Sequence, residues 1–412
     1  MTSAPTVASP ALDADTPERS GAPGVAGPPP GSWIQPVSTG LLAAIVGFAS
    51  TFTIVLQGLT RVGATPTQAA SGLLAICVVQ GLLSIGYSLW RRQPISIVWS
   101  TPGSALMIAT GLPAGGYPAA VGAFLFAAAL IVAAGVWAPF GRLVGAIPRS
   151  LASAMLAGIL FGLCLAPVHA MTELPVLAAP IVIAWALAWR FARPYAVPAA
   201  LVVTVAVVIF VTKLPPGAFA GSWPQPAVTP PALVWATLGS LGLPLFVVTM
   251  ASQNVPGLAV LQANGYRPRV GPIFVGTGLA SAVTALLGGT LINLAAITAA
   301  LCAGPDAHPD PAKRYWSTVV GGLAYVALGL GAGAAAVLVT ASPPLLIETV
   351  AGLALLGSLG GALTSALSDE RERLPAVVTF AVAASGIVVF GVGAPFWALA
   401  AGGVLLLLER WR

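Results

Sequence analysis

Apolar stretches of about 20 residues, the length that crosses a bilayer, follow one another almost without pause from Leu41 to Leu408. Cationic pairs punctuate them at every second boundary: Arg91 and Arg92, Arg142 and Arg149, Arg190 and Arg193, Arg267 and Arg269, Lys313 and Arg314, Arg371 and Arg373, Arg410 and Arg412. Short cytoplasmic loops collect Lys and Arg. The rhythm therefore assigns both ends of every span, with only Arg61 and Lys213 on the outer side and both termini cytoplasmic. Hydrophobic residues make up 58% of the 412 and charged ones 7%, where a soluble domain carries about a quarter. The expected class is an all-α polytopic membrane protein.

Other classes are excluded on the same grounds. The net charge of +6 reads as an orientation signal and not as nucleic-acid binding, since no basic run carries interleaved aromatics. Cys77, Cys164 and Cys302 stand alone in apolar segments without C-x-x-C spacing, so they are packing residues, and neither metal nor disulfide is expected. No H-E-x-x-H, Ser–His pairing or acid dyad falls within a span. An enzyme is not expected, nor a cofactor. A channel would need a continuous polar stripe, which is absent.

Residues 1–36, rich in Pro, Ala and Gly, lack the apolar core of a signal peptide and are expected to form a disordered cytoplasmic tail. Fourteen segments follow. Residues 37–213 hold seven, at 38–60, 67–89, 94–111, 117–138, 147–168, 174–190 and 195–212. A Pro-rich periplasmic linker spans 214–231, and residues 232–412 hold seven more, at 232–258, 271–287, 289–304, 315–339, 344–366, 375–391 and 393–409.

The halves align. Adding 202 pairs Ala49 and Ser50 with Ala251 and Ser252, and Pro66 with Pro268; adding 194 pairs Ser104 and Ala105 with Thr298 and Ala299, and Gly135 with Gly329. Cations follow the even segments of the first half and the odd segments of the second. Similar sequences with opposite charge phase cross the bilayer in opposite directions, the mark of inverted repeats.

The third and tenth segments are too short and interrupted to be plain spans. The third begins β-branched and extended; Ser100 or Thr101 can then cap a helix with Pro102 in its first turn, followed by Gly103 and Ser104. The tenth has the same logic, with Asn293 as the expected cap and Thr298 beyond it. Two half-helices starting near the midplane from opposite sides would aim their N-termini at one place and favour an anion there. The first segment adds Ser50, Thr51 and Thr53, which serve equally as interhelical donors or pocket lining, and the eighth adds Ser252, Gln253 and Asn254, expected in the pocket. No charged residue interrupts these four segments, as suits an anion held by neutral donors. Phe52 and Trp99 are candidates to hold an aromatic ring, with packing as the alternative for each.

Four stretches, Trp99–Leu106, Pro244–Gly257, Asn293–Ala300 and Gly304–Pro311, closely resemble the benzoate/proton symporter (BenE-type) family, and the likeness covers nearly everything after the tail. It implies proton-coupled uptake of benzoate or a related aromatic carboxylate across a bacterial inner membrane. Alternatives are another small organic or inorganic anion, or a nucleobase. More distantly the chain is similar to nucleobase and sulfate-type transporters of seven-plus-seven inverted-repeat fold. That likeness implies a core domain of segments one to four and eight to eleven, a gate domain of the rest, and pairing as a homodimer. Nucleobase members carry a Glu in the eighth segment where this chain has Ser252-Gln253-Asn254, which fits a carboxylate ligand better.

Glu348 is the one acid placed inside a span, near the outer end of the twelfth segment, and is the first candidate to couple a proton. Asp306 and His308 form a second candidate cluster at the inner mouth beside Asp310. Gly158 with Gly162, and Gly357 with Gly361, give small-residue faces for helix packing.

Overall fold

The structure, a computed structural model, describes residues 33–137, 139, 148–211, 223–295, 297–389 and 392–410. The expected tail falls outside them up to residue 32, as do Arg142, Lys213 and Arg412. The first half comprises α1 (Ile34–Arg61), α2 (Pro66–Arg91), strand β1 (Ile97–Trp99), α3 (Thr101–Thr110), α4 (Gly116–Val136), α5 (Arg149–Cys164), α6 (Ala166–Glu173), α7 (Pro175–Phe191) and α8 (Ala196–Val211). The second comprises α9 (Trp235–Ala263), α10 (Val270–Leu286), strand β2 (Ile292–Leu294), α11 (Ile297–Ala303), α12 (Tyr315–Gly329), α13 (Ala332–Ala341), α14 (Pro344–Ala366), α15 (Arg373–Ala384) and α16 (Ala394–Arg410).

Among the described residues α1, α2, α4, α5 with α6, α9 and α14 are each long and apolar enough to cross a membrane. The segment expected as one span over 315–339 is instead two helices, α12 and α13, bent by 58° where Gly329, Leu330 and Gly331 interrupt the apolar run. The described part of the linker, from residue 223, forms neither helix nor strand. It is tied down by Ala227 N–H to Ser71 Oγ, Thr229 N–H to the Leu286 carbonyl and Ala232 N–H to the Pro118 carbonyl.

Small residues set the helix spacing. On α2, Gly81 faces the backbone of Gly322 on α12 so closely that a Cβ would lie 2.5 Å from a carbonyl oxygen. Gly158 of α5 meets the backbone of Phe380 on α15 in the same way, whereas Gly162, Gly357 and Gly361 have open space before them. Without a hydrophobic drive between helices in lipid, such close van der Waals contact supplies much of the association.

At the centre β1 and β2 pair antiparallel in the register Ile97↔Leu294, Val98↔Asn293, Trp99↔Ile292. A two-stranded ribbon buried in apolar surroundings has two open edges that must be satisfied. Hydroxyls from the preceding helices do this. Ser84 on α2 accepts from Ile97 N–H and donates to its carbonyl (2.9 and 3.0 Å). Ser281 on α10 does the same at Ile292 (3.0 and 3.2 Å). Ser88 and Thr284, one turn further along each helix, donate to the carbonyls of Ile95 and Thr290.

Candidate functional site

Each helix break has its own local cause. At α3 the Ser100 hydroxyl accepts from Gly103 N–H (3.1 Å) while Pro102 sits in the first turn, so the half-helix starts where its cap and its proline dictate. Gly103 is required there, because a Cβ would come within 2.8 Å of that hydroxyl and 2.7 Å of Leu245 on α9. Asn293 is not the cap of the other half-helix. It lies inside β2, four residues before α11, with its amide donating to the Leu294 carbonyl (3.1 Å) and its Oδ1 buried without a partner. Strand pairing holds the chain extended as far as Ala295, whose N–H bonds the Ser96 carbonyl, and this delays the helix start.

Two π turns shape α9, at Leu238–Gly242 and Met250–Asn254, each ending two residues before a proline, Pro244 and Pro256. A proline has no N–H for the carbonyl four residues back, and its ring crowds that carbonyl. Widening the turn accommodates it: Leu243 and Val255 N–H reach carbonyls five residues back, at Leu238 and Met250. The second turn holds Ser252, Gln253 and Asn254.

A cavity of about 250 Å³ sits where these pieces meet. Ser50 and Thr51 of α1, Trp99, Thr101 at the tip of α3, Gln253, Thr298 of α11, Tyr325 of α12 and Ser358 of α14 supply its polar and aromatic surface. No acidic, basic or histidine side chain lines it among the described residues. Trp99 is buried, donates Nε1–H to Thr51 Oγ1 (2.9 Å) and meets Tyr325 and Phe48 edge to face, at 5.6 and 5.9 Å between centroids. The hydroxyls of Ser50 and Thr51 donate to the carbonyls of Val46 and Gly47. Thr101, Gln253, Thr298, Tyr325 and Ser358 make no side-chain hydrogen bond among the described residues, and Thr298 Oγ1 is buried. The site therefore offers uncommitted neutral donors beside an aromatic wall.

The expected site residues thus divide. Ser50, Thr51, Trp99, Thr101, Gln253 and Thr298 line this cavity, and Ser252 lines its neighbour. Thr53, Ser100, Gly103, Ser104, Asn254 and Asn293 do not. Thr53 and Ser104 carry buried, unpartnered hydroxyls behind it, and Phe52 stacks on Phe48 at 5.1 Å without facing it. Asn254 is a brace: its Oδ1 accepts Leu294 N–H (3.0 Å) and its amide reaches Met250 Sδ (3.2 Å), tying the π turn to β2. Tyr325 and Ser358 escaped the sequence reading. A signal for Tyr325 existed, since it shares one helical face with Gly321, Gly322 and Gly329, the face that packs inward.

The charged candidates lie apart. Glu348 Oε1 accepts from Arg61 Nη2 at 2.5 Å, so the acid at the start of α14 is paired with the last residue of α1. Asp306 is exposed, and neither it nor His308 lines a cavity at the site. The buried guanidinium of Arg314 organises that loop, donating to the carbonyls of Ala303, His308 and Pro309, while His308 Nδ1 accepts Asp310 N–H (2.9 Å). Tyr266 O–H closes it on the Pro311 carbonyl; burial raises its phenol pKa, with Arg314 opposing. These contacts give the stretch a structural occupation.

A family model described as BenE, Benzoate membrane transport protein, matches residues 32–408. Inner membrane protein YdcO of Escherichia coli is 39% identical over 365 residues, covering 89% of this chain and 93% of that one. The benzoate membrane transport protein of Acinetobacter baylyi is 32% identical over 363 residues, covering 88% and 92%. Among solved structures, the transmembrane domain of a cyanobacterium bicarbonate transporter, BicA, is similar with a TM-score of 0.52 at 14% identity, covering 93% of this chain and 99% of that one. That likeness speaks for the fold.

Proposed function

Since the chain belongs to the benzoate membrane transport protein family, we propose that it imports benzoate or a related aromatic carboxylate with protons across the bacterial inner membrane by alternating access. The observation that carries this reading is the 250 Å³ cavity, with the rings of Trp99 and Tyr325 for an aromatic ring and the Tyr325 hydroxyl, Thr101, Gln253, Thr298 and Ser358 for a carboxylate. Its volume lies just under the roughly 300–1,000 Å³ of drug-sized sites and suits one ring. Neutral donors in a water-poor site favour an anion without trapping it, as a guanidinium would.

The architecture we propose is two inverted seven-segment repeats. Its support is the antiparallel β1–β2 pair with Ser84 and Ser281 bracing it at matching places. Alternating access draws support from the two ends of α14. Glu348, near one end, pairs with Arg61. Ser365, 17 residues further and so about 25 Å along the axis, lines a second cavity that shares Pro102, Gln253 and Ser358 with the first. On the cationic bias the Arg149 end is cytoplasmic, which makes this an inward-open form closed outside by the ion pair.

Uptake of labelled benzoate into proteoliposomes under an imposed pH gradient tests this. Acid outside should drive accumulation, and salicylate should compete while uracil and sulfate do not. Preferential competition by uracil would overturn the substrate assignment.

A further inference from the structure

The second cavity, of about 480 Å³, lies between three helical faces. Arg149, Ser153 and Leu156 present one side of α5; Ser358, Gly361, Ala362 and Ser365 present one side of α14; Ala251 to Val260 of α9 form the third wall. Arg149 is the cation lining either cavity among the described residues, and no acid joins it. Its guanidinium has neither an ion pair nor a hydrogen bond to any described residue. Glu372 is engaged by the hydroxyl of Ser150, about 100° further round α5. Ser153 Oγ donates to Ser365 Oγ (3.0 Å), which leaves the Ser365 proton free to point into the space.

We infer that this cavity is a second carboxylate-binding site, organised by Arg149 with Ser153 and Ser365, which receives the substrate after it leaves the aromatic cavity. The inference rests on the aromatic carboxylate reading above. A planar guanidinium fork matches a carboxylate in two parallel hydrogen bonds, and Gln253, which lines both cavities, is positioned to release the anion to it. Arg149 is exposed at one wall of the cavity, and solvent screening of its charge makes this the weaker of the two sites.

The test is equilibrium dialysis of radiolabelled benzoate against the full chain in phosphatidylcholine nanodiscs. Wild type should bind two benzoates per chain. Arg149→Gln should weaken the second by about tenfold or more, the loss of one charge-assisted contact, and leave the first unchanged. Ser365→Leu, which fills the space and keeps the charge, should do the same and decides the matter if the arginine variant fails to fold. One benzoate in wild type, or two in both variants, overturns the second site and leaves the aromatic cavity standing. No binding at all sinks the functional reading together with it. A second benzoate displaced by phosphatidylglycerol reassigns the cavity to a lipid phosphate and overturns the carboxylate assignment.

Discussion

Trp99 holds three roles at once: it ends β1, donates to Thr51 and presents its ring beside Tyr325. Aromatic pairs contribute about 0.5–1.5 kcal/mol beyond area burial, so Trp99→Ala should weaken benzoate binding by about twofold to tenfold in a dialysis measurement. Tyr325→Phe asks a different question, since it keeps the ring and removes only the hydroxyl. Hydrogen bonds to a charged group contribute about 1.5–3 kcal/mol. A loss of about tenfold to a hundredfold in affinity is expected, and an unaltered Kd would remove the Tyr325 hydroxyl from the carboxylate site. Residues such as Asn254 teach the opposite lesson. A polar side chain costly in lipid marks a place where something must be satisfied, and here the recipient is the backbone of β2.

The element that most shapes the site is α9. Its π turn at Met250–Asn254 exists because Pro256 cannot donate, and the widened turn sets where Gln253 points. Pro256→Ala restores the missing N–H and should let the turn close to α geometry, rotating Gln253 away from the aromatic cavity. The expected outcome is weaker benzoate binding with a thermal midpoint equal to or above that of wild type. A variant that binds as wild type does would separate the π turn from recognition. The half-helix α3 was readable beforehand from Ser100 and Pro102, because capping is a local matter. The start of α11 was not, because the β1–β2 ladder overrides the local preference of Asn293.

At the scale of the whole molecule, the Arg61–Glu348 pair joins residues 287 positions apart in the chain, at the end of α14 opposite Ser365. An exposed ion pair contributes only about 0–1 kcal/mol to stability, so its use is better sought in the transport cycle. Removing the negative charge of Glu348 breaks the pair, which on the transport reading proposed above frees that end. Glu348→Gln should therefore abolish accumulation driven by a pH gradient while sparing benzoate exchange at equal pH. Accumulation equal to wild type would dismiss Glu348 as the coupling group.

Membrane class, the places of most helices and the two interruptions were written in the sequence, because hydropathy, caps and prolines act over one or two turns, whereas the 58° bend between α12 and α13 was not. The polar residues worth watching were legible too, since each is conspicuous against an apolar background. What the sequence could not sort was which of them face a cavity. Thr298 faces the aromatic cavity and Thr53 does not; both are hydroxyls on apolar helices, and only the packing of the helices against their neighbours separates them. The partner of Glu348, the serines that brace β1 and β2, and the place of Tyr325 were likewise settled in three dimensions. Those pairings join residues far apart in the chain, and the free energy that selects them comes from desolvated contacts that exist only once the helices have packed.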